Sequence, residues 1–100
     1  MAEIIWTEPA LCDLDAIADT IALDKPAAAK AWVERVFRHV EQLAQQPESG
    51  SVPKELRDAR YRQIVEHPAR IFYRHDGTHV FIVHVMRGER QLRKRALKQN

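Results

Sequence analysis

The chain has 100 residues, 45% of them apolar and 30% charged, with a formal net charge of +2, values typical of a globular domain and unlike those of disordered or membrane proteins. That length predicts a single domain over residues 1–100 with a modest core, since a chain of this size buries about 60–70% of the surface its unfolded form exposes. No basic-then-apolar leader and no bilayer-length apolar run occur, and the one cysteine, Cys12, has no Cys/His cluster near it; the expectation is a cytoplasmic protein with a free thiol, no membrane contact and no metal or other cofactor.

Glu3-Ile4-Ile5-Trp6 is a short β-prone run, and Thr7-Glu8-Pro9 after it reads as a helix cap with proline in the first turn. Ala10, Leu14, Ile17, Ala18 and Ile21 then recur at helical spacing, which predicts a first helix from about Pro9 to Leu23. Asp24-Lys25-Pro26 repeats the cap-and-proline signal. Beyond it Ala29, Val33, Val36, Phe37, Val40, Leu43 and Ala44 form an apolar stripe ending near Gln46, before Pro47. The short connection folds the two helices into an antiparallel hairpin. Trp6 and Trp32 read as core edges rather than stacking platforms. A proline-bounded loop, Pro47 to Pro53, closes the helical half.

Three strands follow, over Arg60 to Val65, Ala69 to His75 and Thr78 to Met86, the last two joined at Asp76-Gly77. Asp-Gly between β-prone runs is a strong hairpin signal because primed turns need positive φ. With those two residues at the turn, Arg74 pairs with His79, Phe72 with Phe81, Arg70 with Val83, Tyr73 with Val80 and Ile71 with Ile82. One face then carries Ile71, Tyr73, Val80, Ile82, His84 and Met86 and should receive the helices, with Val36, Phe37 and Val40 packed on Ile71, Tyr73 and Ile82. The other combines Phe72, Phe81, Val83 and Val85 with Arg70, Arg74, His79 and Arg87. A face half cationic and half apolar suits a polypeptide or nucleic-acid partner better than open water. The fold class is therefore α+β: an N-terminal strand, an antiparallel helical hairpin on a C-terminal antiparallel meander, and a short basic end.

Charge is concentrated in that end. From Arg87 to Asn100 six cations (Arg87, Arg90, Arg93, Lys94, Arg95, Lys98) stand against Glu89, net +5, while the preceding residues sum to −3. A basic end on a mildly acidic body predicts an acidic partner.

Ile5-Trp6-Thr7 with Ala10 and Asp13-Leu14, Ala28-Ala29, Leu43 with Pro47 and Gly50, Tyr61-Arg62, Arg70-Ile71-Phe72-Tyr73-Arg74, and Val80 to Val85 with Arg87 and Arg90 follow one another along nearly the whole chain. In this order and spacing they resemble the RelE/ParE superfamily of toxins of type II toxin–antitoxin systems, the ParE branch most closely. The resemblance implies a cognate ParD-like antitoxin that meets the outer sheet face and the C-terminal segment, at Arg70, Phe72, Arg74, His79, Phe81, Val83 and Arg87. It implies one of two targets: DNA gyrase for ParE-like members, messenger RNA on the ribosome for RelE-like ones. The basic end, Arg87, Arg90, Arg93, Lys94 and Arg95, is expected to hold the target. Operator DNA would be reached only through the antitoxin, as the chain has no helix-turn-helix or ribbon pattern of its own.

Cutting RNA through its 2′-hydroxyl needs a base, an acid and phosphate-binding cations converging on one volume. Arg60, Arg62, Arg70, Arg74 and Arg87 supply cations, but arginine stays protonated and is a poor base. RelE-like members usually place a Tyr or a His-Tyr pair after the last strand; Met86-Arg87-Gly88-Glu89-Arg90 holds neither. His75 and His79 read as turn residues on opposite faces, His84 as a buried or half-buried histidine, His39 and His67 as ordinary surface groups, and Glu66 as an ion-pair partner of nearby arginines. The expectation is a toxin that binds rather than cleaves, with a ribosome-dependent ribonuclease as the alternative.

Overall fold

The computed structural model describes residues 1–56 and 60–88. The chain runs β1 (Glu3–Trp6), α1 (Glu8–Asp24), α2 (Pro26–Glu41), a 3-10 turn (Gln42–Ala44), β2 (Tyr61–Glu66), β3 (Ala69–His75) and β4 (His79–Arg87). The four strands make one sheet in the order β1-β4-β3-β2, with β1 parallel to β4 and the other neighbours antiparallel. This is the α+β arrangement read from the sequence. Thr7 caps α1 by accepting the Ala10 N–H at 3.4 Å, and its own hydroxyl donates to the Ile82 carbonyl at 2.7 Å. One threonine thus starts the helix and ties it to the strand beneath.

Ala10, Leu14 and Ile17 of α1 and Trp32, Val36 and Val40 of α2 pack on Ile64, Ala69, Ile71, Tyr73, Val80, Ile82 and Val85 of the sheet. Two expectations are corrected here. Trp32, read as a core edge, is 1% exposed in the middle of the core and donates its indole N–H to the Glu66 carbonyl at 3.1 Å. Phe37, read as core, is 37% exposed and lies against the Trp6 ring, 5.0 Å between centroids. Both sit on the apolar side of α2, and a small rotation of that helix about its axis exchanges which aromatic points into the sheet.

The β3–β4 register also departs from expectation. His75 pairs with Val80, Arg74 with Phe81 and Tyr73 with Ile82, so the two central turn residues are Gly77 and Thr78. A turn centred on Asp76-Gly77 needs positive φ at both residues. In the structure Gly77 alone among the described residues takes one, at 98°. Asp76 instead serves as an acceptor: Oδ1 takes the N–H groups of Thr78 and His79 at 3.0 and 2.8 Å and the Thr78 hydroxyl at 3.0 Å. These bonds hold its carboxyl well below the usual carboxylate range. Their stabilising contribution is present at neutral pH and is lost as the pH falls through that lowered value.

Farther from the turn, the register shifts between Phe72 and Tyr73, so that Phe72 faces His84, Ile71 faces Val85 and Arg70 faces Met86. Val83 is the extra residue of a β-bulge, and every β4 side chain beyond it changes face. Val85, expected outside, joins the core, while Met86, expected inside, packs on the outer face with Phe72 and Val83. The bulge also takes His84 off the helix-facing side. Arg87 pairs with Ala69, a core residue, and lines the α1 side of the sheet rather than its outer side.

At the opposite corner, the Tyr73 phenol accepts the Gly50 N–H at 2.9 Å and donates to the Pro47 carbonyl at 2.8 Å. Burial pushes its pKa up from the ordinary phenol value. Gly50 is required by this approach, because a Cβ there would lie 2.6 Å from both the Gln63 carbonyl oxygen and the Tyr73 Oη. Tyr73→Phe removes both bonds without changing the ring, and is expected to lower stability by about 1–3 kcal/mol, read as a reduced urea midpoint. An unchanged midpoint would mean that the 47–51 loop is held by other contacts.

Candidate functional site

The outer face of the sheet is less open than its sequence suggests. Leu56 folds over it, and Phe72 and Val83, expected to meet a partner, are 0% and 1% exposed in a small second core with Leu56. Arg70 is held by the same segment: its guanidinium makes a two-point pair with Glu55, at 2.8 and 3.2 Å, and also donates to Gln63 Oε1 at 3.2 Å. An arginine engaged in this way fixes a loop. Residues 53–56 follow no hydrophobic period, so no local pattern announces that Leu56 covers two large apolar side chains.

Arg74 differs. Its Cζ lies 4.3 Å from the Phe81 ring centroid, and no carboxylate reaches it among the described residues. Paired residues bring Tyr61, Arg74, Phe81 and Ile5 into one row across all four strands, so a guanidinium stacked on an aromatic sits mid-sheet between apolar neighbours. Such stacking preorganises the cation and lowers the cost of desolvating it under a partner. His79 extends the row, 5.6 Å from Phe81 between ring centroids, and is flanked by Asp76 at 3.6 Å and Glu3 at 3.7 Å. Of the seven residues expected to meet a partner, the structure therefore groups Arg74, His79 and Phe81 on an accessible surface. Arg70, Phe72 and Val83 lie beneath the loop, and Arg87 lies across the sheet.

A second feature, absent from the sequence reading, follows from the bulge. β1 pairs with β4 only as far as Ile82, and beyond it α1 takes the place of a neighbouring strand. Asp13 Oδ2 accepts the Val85 N–H at 3.1 Å and lies 2.6 Å from His84 Nδ1. One carboxylate thus satisfies the strand edge and positions the imidazole, which stacks on Phe72 with 5.9 Å between centroids. Below this contact Asp13, Ala16, Ile17 and Thr20 of α1 and His84 to Arg87 of β4 line a cleft of about 260 Å³.

Each histidine with a partner sits against a carboxylate: His39 with Glu66 at 3.1 Å, His75 with Glu48 at 4.0 Å, His79 with Asp76, and His84 with Asp13. Glu66 pairs with Arg35 and His39 of α2 rather than with the strand arginines expected to hold it. Among the described residues no three His, Cys, Asp or Glu side chains form a metal cluster, and no helix is long and apolar enough to cross a membrane. Cys12 is exposed and reduced. Arg90, Arg93, Lys94 and Arg95, expected to meet the target, lie outside the described residues.

The family described as the ParE toxin of the type II toxin–antitoxin system parDE matches residues 4–92. Toxin RelE2 of Caulobacter vibrioides is 36% identical over 89 residues, covering 87% of this chain and 92% of its own. A solved structure of the chromosomal ParDE TA system from P. aeruginosa matches with a TM-score of 0.74 at 28% identity, covering 89% of this chain and 98% of that one.

Proposed function

Because the chain belongs to the ParE toxin family and is the toxin of a type II toxin–antitoxin system, we propose that it inhibits DNA gyrase by binding it and is neutralised by a ParD-like antitoxin. The observation that carries the binding half of this reading is Arg74 on Phe81, an accessible cation with an apolar surround and no acid against it among the described residues. An antitoxin segment with acidic and apolar side chains fits it, pairing a carboxylate with the guanidinium and covering the ring. The toxin acts in the cytoplasm, where gyrase is found, and operator DNA is reached only through the antitoxin.

Target binding is assigned to Arg90, Arg93, Lys94 and Arg95, with Arg87 at the root of the segment. Five cations follow Gly88 in sequence, and long-range attraction to an acidic surface speeds encounter and weakens as salt rises. No catalytic step is invoked. The arginines are poor bases, and His39, His75, His79 and His84 each sit against a different carboxylate rather than converging on one volume.

Purified toxin should arrest supercoiling of relaxed plasmid by gyrase and leave ribosome-bound message intact. Deleting residues 93–100 should reduce this inhibition by a much larger factor than it reduces folding stability. Cleavage of message without any effect on gyrase would replace this reading with the ribonuclease one, and full inhibition by the shortened chain would move the target contact elsewhere.

A further inference from the structure

The outer face of the sheet carries the same small unit twice. Arg70, Phe72 and Arg74 are alternate residues of β3 and share that face, and Phe81 is the cross-strand partner of Arg74. The Arg70 Cζ lies 5.1 Å from the Phe72 ring centroid, and the Arg74 Cζ lies 4.3 Å from that of Phe81. Each unit is a guanidinium laid on a phenylalanine.

The chain itself completes the first unit. Glu55 makes its two-point pair with Arg70, and the next residue, Leu56, is buried against Phe72 and Val83. Adjacent residues of a strand point to opposite sides, so an extended segment cannot deliver both groups to one surface. A turn does. The Leu56 N–H donates to the Pro53 carbonyl at 3.0 Å, and this bend brings Glu55 and Leu56 down together. The acid fixes the guanidinium in its plane while the aliphatic side chain covers the apolar floor beside it, and each keeps water from the other's contact.

The second unit has no such cover among the described residues. No carboxylate of theirs stands against Arg74, and Phe81 is half-buried, with Tyr61 beyond Arg74 and Ile5 beyond Phe81 in the same row. Tyr61 and Phe81 also pack against the cluster of Leu56, Phe72 and Val83, so the two seats are contiguous. A ligand at the second unit therefore meets the same chemistry that Glu55 and Leu56 meet at the first.

We propose that Arg74 and Phe81 bind a polypeptide segment that presents one carboxylate and one leucine-sized aliphatic side chain together, from a turn or a helix, in the pairing that Glu55 and Leu56 make on Arg70 and Phe72. The acid pairs with Arg74, and the aliphatic group lies on Phe81 against Ile5. The proposal deepens the antitoxin reading of this face and rests on it for the source of the segment. An extended strand is excluded as the contact with Arg74.

Random dodecapeptides displayed on phage and selected on the full chain test this without antitoxin or gyrase. Enriched sequences should carry an Asp or Glu either next to a Leu, Ile or Met or one helical turn from it, and should not be recovered on Arg74→Ala. A synthetic peptide from the selection should shift the amides of Ile5, Arg74 and Phe81 more than those of Phe72 and Val83. Replacing its acid by Gln, or its aliphatic residue by Ala, should weaken binding at least tenfold, and replacing the acid by Arg should recover binding to Arg74→Glu. No enrichment, enrichment that ignores the acid or survives Arg74→Ala, or shifts centred on Phe72 and Val83 would overturn the proposal, the last by assigning the ligand to the seat of Leu56. Peptides that behave as expected while the antitoxin binds Arg74→Glu normally would support the site and remove the antitoxin as its source.

Discussion

Replacing Trp32 by alanine is expected to cost about 3–5 kcal/mol, the range for a buried large aromatic. The side chain is 1% exposed within the main core, and its indole N–H satisfies the Glu66 carbonyl at 3.1 Å. The substitution removes the packing and leaves that acceptor without its donor. Domains of this size are stable by only about 5–15 kcal/mol, so the loss is a large share of the total. At about 4–8 °C per kcal/mol the melting temperature should fall by roughly 12 °C or more. Urea unfolding followed by far-ultraviolet circular dichroism measures it without depending on tryptophan emission. Phe37→Ala, which uncovers only a half-exposed ring on Trp6, should cost clearly less. The reverse ranking would mean that α2 is rotated about its axis from the orientation described.

Arg74→Glu should weaken binding of the antitoxin's C-terminal segment at least tenfold, equivalent to about 1.4 kcal/mol, with little change in folding stability. The guanidinium has no acid of its own to lose among the described residues, so reversal places a carboxylate on Phe81 where an acidic ligand must approach. Arg70→Glu is no substitute for this test. Arg70 is locked to Glu55 at 2.8 Å, and reversing it sets two carboxylates against each other under the loop that covers Phe72 and Val83. Titration calorimetry with both variants separates the two roles: lost affinity at constant stability for Arg74, lost stability for Arg70. Unchanged affinity in Arg74→Glu would move the antitoxin interface off this face.

The sequence by itself determined the element order, both proline-started helices, the β3 span Ala69–His75 and the α+β class, because each rests on local signals: a cap, a fixed φ at proline, a period of 3.6 or of 2. It also determined that cations cluster at one end, since charge is a property of composition. The tertiary structure alone decided which aromatic of α2 enters the core, because Trp32 and Phe37 both satisfy the helical period and only the seat on the sheet distinguishes them. It decided the face of every β4 residue beyond Val83, because one bulge inverts an alternation that no local pattern announces. The same long-range pairing joined Asp13 to His84 across 71 positions and Glu55 to Arg70 across 15, and so set Arg70 as the arginine that holds a loop while Arg74 lies on the Phe81 ring.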